Sequence, residues 1–547
     1  MEKKLRTTVD RYECVDDESG KGVHQESAAM GTVTITDTKE IFLVPAPSAD
    51  PRDPLNLPRW RKIVFVVLLT LFSSVGLTLV SGFGGLLNFY IPDYAEHGAS
   101  YADITALMTY PSMFMGIGNL ILMPIAMSIG RRPVYLFSCA LLVVSGIGAA
   151  YVKNYNQHLA VRMILGLAAG QSEALVPMMI QEVHFLHERS TFLMWQSAGQ
   201  TIVTAVFSVF ASPIAGAIGP GNWYIMGAGV CAIVLILSIF LVPESKYDRS
   251  LAAYGQRTAD DPLNSVNDHT TPSRPVRMAD RPALDFVNYQ ARTLRSDMVV
   301  FSVKPDWAEG YWTFVHTFQI MLFPNVMWAF LLNGVTLGIN IAMGTTYGKI
   351  ITDAPYSFGD NQASYVTVSQ IVTALVALPM LGNGSDWIMR WKARRNGGIH
   401  EPESRILPLG IPIVVGVISA VLYGQAGAHP NDYHWFAIVF AYAGYYFGFV
   451  GANIVGITYL LDSYPARAAP VLVVITAFRG FISFGTSYGV AKFIETNGYD
   501  GSFGTYAGLT ALFGLIGIPA YIYGKRIRQY TGKYAMSKTE GRPSMAH

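Results

Sequence analysis

The chain has 547 residues, of which 51% are hydrophobic and only 14% charged, and its formal net charge is +2. Soluble domains carry about 25% charged residues, so this composition, with a mean hydropathy of +0.32, excludes an ordinary soluble enzyme and indicates a polytopic membrane protein. No basic face with interleaved aromatics points to nucleic acid, and Cys14, Cys139 and Cys231 form neither a disulfide framework nor a metal-ligand spacing.

In chain order, residues 1–61 are a polar tail, expected to be disordered, ending in the basic, proline-rich DPLNLPRWRK. Nothing in it resembles a cleavable signal peptide, so the first span is expected to act as its own insertion signal. A crossing helix needs about 20 mostly apolar residues. Such runs fall near 63–83, 104–127, 133–152, 158–180, 192–213 and 223–242, an N-terminal six-helix bundle over 62–243. A polar stretch at 244–322 forms a central loop, and its aromatic end, GYWTFVHTFQIMLF, suits the membrane interface. Six more runs, near 325–350, 362–384, 406–424, 433–461, 467–490 and 503–524, make a C-terminal bundle over 323–524, followed by a basic tail at 525–547.

Lysine and arginine set the orientation. Arg52, Arg59, Arg61, Lys62, Arg131, Arg132, Arg189, Arg390, Lys392, Arg394, Arg395, Arg405 and Arg467 lie at alternate links, while PDYAEHGASYAD, GPGN, TDAPYSFGDN and QAGAHPNDYH hold no lysine or arginine; Lys153 and Lys492 are the clear exceptions, with Lys349 near the end of span 7. This bias fits both termini and the central loop in the cytoplasm and an even number of spans, favouring twelve over eleven or thirteen. The fold class is therefore all-α, with twelve transmembrane helices.

Span 4 stands out. Its segment RMILGLAAGQSEALVP carries an arginine and a glutamate inside an apolar run, and ionisable groups there are functional candidates by default. On a continuous helix Arg162, Gly166, Gly170, Glu173 and Pro177 fall within ~80° of one another. Arg162 and Glu173 are separated by roughly 16 Å of rise, which argues against a direct salt bridge. They are expected as two polar stations on one cavity-facing helix. The glycines would let another backbone approach closely. Arg479 in span 11 lies near mid-membrane and is the nearest partner for Glu173 by depth. The alternative for each is a satisfied structural network. Gln196 and Gln200 in span 5, Asn333 and Asn340 in span 7, Gln370 in span 8 and Asn453 in span 10 are uncharged cavity candidates or helix–helix contacts.

The link between spans 2 and 3 ends in Gly130-Arg131-Arg132, and here the sequence resembles the loop motif of the major facilitator superfamily. Met127 replaces the acidic residue of that motif, and Met123 its first glycine. The corresponding link in the second half keeps an acid, Asp386, with Arg390 and Arg394 after it. Clusters at matching positions of two halves suit a cytoplasmic gate; simple topology-setting is the alternative. Arg162-x-x-x-Gly166-x-x-x-Gly170 resembles the superfamily's second motif, whose arginine is associated with proton coupling. Ser212, Pro213, Gly216 and Ala217 stand at a degenerate version of its antiporter motif. The loop QEVHFLHERS, with Glu182, His184, His187, Glu188 and Arg189, is expected to be solvated rather than to bind metal.

The resemblance implies two pseudo-symmetric six-helix bundles, and is strongest to fungal twelve-span drug:proton antiporters. It implies alternating access around a midplane cavity, with the proton as energy source and Glu173 as its carrier. The expected activity is export of a small organic molecule, such as a drug, secondary metabolite or polyamine. Uptake of a cationic nutrient and a non-transporting nutrient receptor are the alternatives. No enzyme activity, cofactor or metal is expected, since no P-loop or nucleophile–base motif occurs. The expected setting is a monomer in the plasma membrane, its partners being the substrate, protons and the lipid bilayer.

Overall fold

The computed structural model describes residues 33–34, 42–43, 45, 47–247, 276–277, 283–395, 399–464 and 468–535. Among the described residues, twelve helices are long and apolar enough to cross a membrane. Spans 1–6 are Arg59–Gly85, Tyr101–Ile129, Arg131–Ala150, Tyr155–Val183, Thr191–Ile218 and Pro220–Leu241. Spans 7–12 are Pro324–Thr352, Asp360–Leu381, Pro402–Ala428, Phe436–Ser463, Pro470–Ser487 and Val490–Thr531. An even number brings residues 59 and 531 to the same side, called here the tail end; the opposite side is the far end. Among the described residues, strands are limited to two antiparallel two-residue pairings, Val33–Thr34 with Ile399–His400 and Phe42–Leu43 with Val276–Arg277.

Local chemistry sets the helix ends. Ser100 and Asp103 form a capping box at the start of span 2, each side chain bonding the other's backbone amide. Gly130 and Gly219 take φ values of 112° and 96° at the turns into spans 3 and 6, a region that side-chain-bearing residues disfavour.

Within each bundle the spans bury apolar residues against one another. The two bundles meet along spans 2 and 11 and along spans 5 and 8. A Cβ on Gly116 of span 2 would lie 2.5 Å from the Ala477 carbonyl oxygen of span 11, and one on Gly480 2.7 Å from that of Ser112. Small residues thus let the halves touch backbone to backbone.

Two segments differ from the expectation of an unstructured tail and loop. Residues 47–58 fold into a plug before span 1. The buried Asp53 carboxylate accepts from the Leu55 amide at 2.9 Å and from the Ser48 amide at 3.1 Å, and Asn56 bonds the Ser48 and Asp50 carbonyls. Arg61 then pairs with Asp297 of the central loop at 2.7 Å. Asp and Asn here bond nearby backbone, so a polar sequence stays compact without apolar content.

The end of the central loop is a helix, Trp307–Met321. Asp306 caps it by accepting from the Ala308 and Glu309 amides. Its start is fixed to the N-terminal half: the Asp306 amide bonds the Ser128 carbonyl at 3.0 Å, Glu309 pairs with Lys246 at 2.7 Å, and Gly310 lies against Pro124 and Ser128. Near its end Phe318 meets Phe478 of span 11 edge-on, with ring centroids 6.0 Å apart. The helix covers the seam between spans 2 and 11 and turns outward Trp307, Tyr311 and Trp312.

Candidate functional site

Span 4 is broken. It runs as an α-helix over Tyr155–Ala169, tightens to a 3-10 turn over Gly170–Ser172 and restarts over Leu175–Val183. Pro177 accounts for the position of the break, because it has no amide to bond the Glu173 carbonyl. Glu173 therefore sits at an interruption in mid-membrane, and broken helices are where transporters build binding sites.

The Glu173 carboxylate forms an ion pair with Arg479 of span 11. Arg479 Nη1 also donates to Asn453 Oδ1 of span 10 at 2.8 Å. The arginine side chain is 2% exposed and the glutamate 17%, and the arginine Nε has no acceptor among the described residues. The pairing expected from depth alone is present, and it joins the two bundles. Removing one member of such a pair leaves a buried charge uncompensated, typically at about 3–5 kcal/mol. A proton on Glu173 does the same to Arg479.

Arg162 departs from expectation. It is not a second cavity station but fully buried. Its Nε donates to the Leu107 carbonyl at 2.7 Å, Nη1 to Tyr224 Oη at 2.7 Å and to the Leu79 carbonyl at 3.2 Å, and Nη2 to the Val80 carbonyl at 2.9 Å. Its guanidinium carbon lies 4.1 Å from the centre of the Phe83 ring. Leu79 and Val80 close the α-helical part of span 1, where carbonyls lack helical donors. His158 extends the network, bonded to Tyr224 and Tyr94. The break at Gly170–Ala174 makes the difference: it ends the continuous face on which Arg162 and Glu173 were aligned. The two glycines do serve close packing, since a Cβ at Gly166 or Gly170 would lie 2.4 Å from the carbonyl oxygen of Pro111 or Met115 in span 2.

The uncharged candidates separate. Asn453 belongs to the Glu173–Arg479 group. Gln196 donates to Gln200 at 2.5 Å within span 5. Asn340 is half-buried, and its Oδ1 has no donor among the described residues. Asn333 donates to the Ala452 carbonyl at 3.1 Å, and its own Oδ1 has no donor among the described residues. Sequence reasoning missed Gln171, which lies in the 3-10 turn and donates to the Gly118 carbonyl at 3.0 Å; an amide two residues before Glu173 was the available signal.

At the tail end, Glu244 caps span 3. It accepts from the amides of Arg131, Arg132, Ser245 and Lys246 at 2.9–3.2 Å. Burial nevertheless pushes its carboxyl above the ordinary range, against those amides and Arg131. A Cβ on Gly130 would lie 2.5 Å from Glu244 Oε2, so the motif glycine is needed to admit the carboxylate. Arg131 pairs with Glu182 at 2.9 Å, and Arg132 donates to the Val299 and Ile239 carbonyls. At position 127 the acid is absent; the Met127 carbonyl instead takes the Lys246 ammonium at 2.6 Å, which also pairs with Glu309. The side chains of Asp386, Arg390 and Arg394 lie outside the described residues. His184, expected in a solvated loop, is buried against Phe192, with ring centroids 3.9 Å apart; burial lowers its pKa to about 4. Among the described residues no group of three or more His, Cys, Asp or Glu could hold a metal ion.

At the far end the halves are clasped. The Ser212 amide donates to Ser364 Oγ at 3.2 Å and the Ser364 amide to Ser212 Oγ at 3.1 Å. Their hydroxyls donate onward to the Gly85 and Val209 carbonyls, each at 2.7 Å. A Cβ on Gly84 would lie 2.5 Å from the Gly344 carbonyl oxygen. Asn88 adds a bond to Asp360 at 3.0 Å. Ser212 is one of the residues at the degenerate antiporter motif.

The comparisons agree with this architecture. An uncharacterized MFS-type transporter of Schizosaccharomyces pombe is 25% identical, the match covering 90% of this chain and 89% of that protein. Protein HOL1 of Saccharomyces cerevisiae is 23% identical over 90% of this chain and 91% of its own. The MFS-type transporter penM of Penicillium rubens is 23% identical over 88% of each. Among solved structures, the xylose transporter XylE from E. coli superposes with a TM-score of 0.56 at 13% identity, covering 84% of this chain and 99% of that one. The human organic anion transporter MFSD10 gives 0.52 at 13% identity, covering 84% and 100%. Residues 73–475 match the Major Facilitator Superfamily as a whole, and the chain belongs to that family of membrane transporters.

Proposed function

We propose that this transporter exports a small organic molecule in exchange for protons, with Glu173 as the proton carrier. The observation that carries the reading is the Glu173–Arg479 ion pair: it lies at a helix break and joins the two bundles. Arginine stays charged at any working pH, so the proton-carrier role is assigned to the carboxylate member of the pair. Loading Glu173 with a proton or a substrate cation removes the charge holding Arg479, weakens the link between bundles and permits rocking. Competition of proton and substrate for one carboxylate gives exchange.

Asn340, Gln196 and Gln200 are assigned to substrate contact, and Asn453 to holding Arg479. Arg131, Arg132 and Glu182 serve as the tail-end gate, with Asp386, Arg390 and Arg394 as its counterpart in the second half. The clasped far end supports assigning this conformation to the state closed on that side. The distribution of basic residues supports cytoplasmic termini and a tail end facing the cytoplasm; the protein is proposed to work as a monomer in the plasma membrane. Drugs, secondary metabolites and polyamines are the substrate classes to screen.

The test is accumulation of labelled compounds from these classes in inside-out vesicles, with and without an imposed pH gradient. Export predicts gradient-driven accumulation there. Accumulation only in right-side-out vesicles would identify an importer instead, and gradient-driven transport undiminished in Glu173→Gln would remove the carrier assignment.

A further inference from the structure

The last span leaves the bilayer through three cations, Lys525, Arg526 and Arg528. Two are matched to carboxylates. Arg528 is buried and makes a two-pronged pair with Glu403, at 2.7 and 2.8 Å, and Lys525 pairs with Glu401 at 3.3 Å. Arg526 has no acid against it among the described residues. It borders a cavity of about 480 Å³ whose other walls include Leu322, Phe323, Pro324, Ile527 and Tyr530. Among the described residues the cavity is thus mainly apolar, carries one cation and contains no carboxylate.

Its depth is set by the chain itself. Span 7 starts at Pro324 and span 12 ends at Thr531, so the cavity opens at the tail-end surface of the bilayer. The helix leading into it, Trp307–Met321, turns Trp307, Tyr311 and Trp312 outward, and such aromatic rings settle at headgroup level. Leu322 and Tyr530 at the cavity itself are 72% and 67% exposed. A soluble anion would use the guanidinium and leave the apolar wall wet. A lipid uses both.

We infer that this cavity binds an anionic phospholipid of the tail-end leaflet. Its phosphate and headgroup charge meet Arg526, and its upper acyl chain lies against Leu322, Phe323 and Ile527. The site touches the first and last spans of the C-terminal bundle and is separate from the Glu173–Arg479 pair, so it stands independently of the transport reading.

The experiment uses the purified full chain in detergent with added dioleoyl phosphatidylserine, dioleoyl phosphatidylcholine, or inorganic phosphate. It reads thermal unfolding and, by native mass spectrometry, retained lipid. Phosphatidylserine is expected to raise Tm by at least about 3 °C and to be retained, with little effect from phosphatidylcholine. Arg526→Gln, an exposed substitution that leaves the fold intact, is expected to lose the phosphatidylserine-specific shift. Ile527→Trp, which fills the cavity, is expected to lose the retained lipid. An unchanged shift in Arg526→Gln overturns the assignment. So does an equal shift from inorganic phosphate, which would mark a free-anion site.

Discussion

Arg162 supplies the hydrogen bond that Pro111 withholds. Pro111 has no amide for the Leu107 carbonyl one turn before it, and the Arg162 Nε occupies that carbonyl at 2.7 Å. The cation thus satisfies a defect in span 2 and the buried end of the α-helical part of span 1 together. Arg162→Lys keeps the charge but cannot reach all four acceptors from a single ammonium. Its expected cost is about 3 kcal/mol of stability, read as a lower Tm of the purified protein. An unchanged Tm would return Arg162 to the list of cavity groups.

Glu173 and Arg479 are expected to behave as a coupled pair. Glu173→Gln and Arg479→Gln should each impair stability and pH-driven transport. The double substitution should regain part of the lost stability, with a coupling of about 1–3 kcal/mol, because no unpaired charge remains. Strict additivity in a double-mutant cycle of unfolding free energies would mean that the two groups act separately.

The far-end clasp offers a reversible lock. With Ser212 and Ser364 exchanging amide-to-hydroxyl bonds at 3.1–3.2 Å, cysteines at both positions are expected to form a disulfide under mild oxidation. Transport should stop on oxidation and return on reduction. Continued transport by the fully oxidised protein would show that this end need not open.

His184 is expected to make stability acid-sensitive. Burial lowers its pKa from 6.5 to about 4, so the unfolded chain binds a proton more readily than the folded one. The contribution is fully present above pH 6.5 and is lost as pH falls toward 4, by up to about 3 kcal/mol. His184→Phe, which keeps an aromatic ring against Phe192, should flatten the dependence of Tm on pH in that window. A wild-type slope retained by the variant would assign the effect to another group; Glu244 is not that group, because a carboxyl raised by burial loses its contribution as pH rises.

The twelve spans were legible because an apolar run of bilayer length has few other uses. The partnership of Glu173 with Arg479 was legible because charges at equal depth in hydrocarbon have few places to go. The environment of Arg162 was not, since a single helical period was carried across Gly170–Ala174, where the backbone abandons it. A warning was nonetheless present: Pro111 and Pro177 each free a carbonyl four residues earlier, and those positions mark where the network and the break occur. The plug at 47–58 and the burial of His184 were hidden for another reason. Each rests on specific short-range contacts, Asp53 and Asn56 to nearby backbone and His184 to Phe192, and polar composition alone does not reveal such contacts.

The helix Trp307–Met321 has a mechanical consequence. One end is fastened to the N-terminal bundle through Asp306, Glu309 and Gly310, and the other passes through Leu322 and Phe323 into the first span of the C-terminal bundle. A polar linker would let the bundles move without sensing one another. A rigid rod hinged within two residues of span 7 leaves no slack, and acts as a lever. On the proposed rocking mechanism, rotation of either bundle would bend that hinge or break the Lys246–Glu309 contact, which would make the loop a working part of the transport stroke.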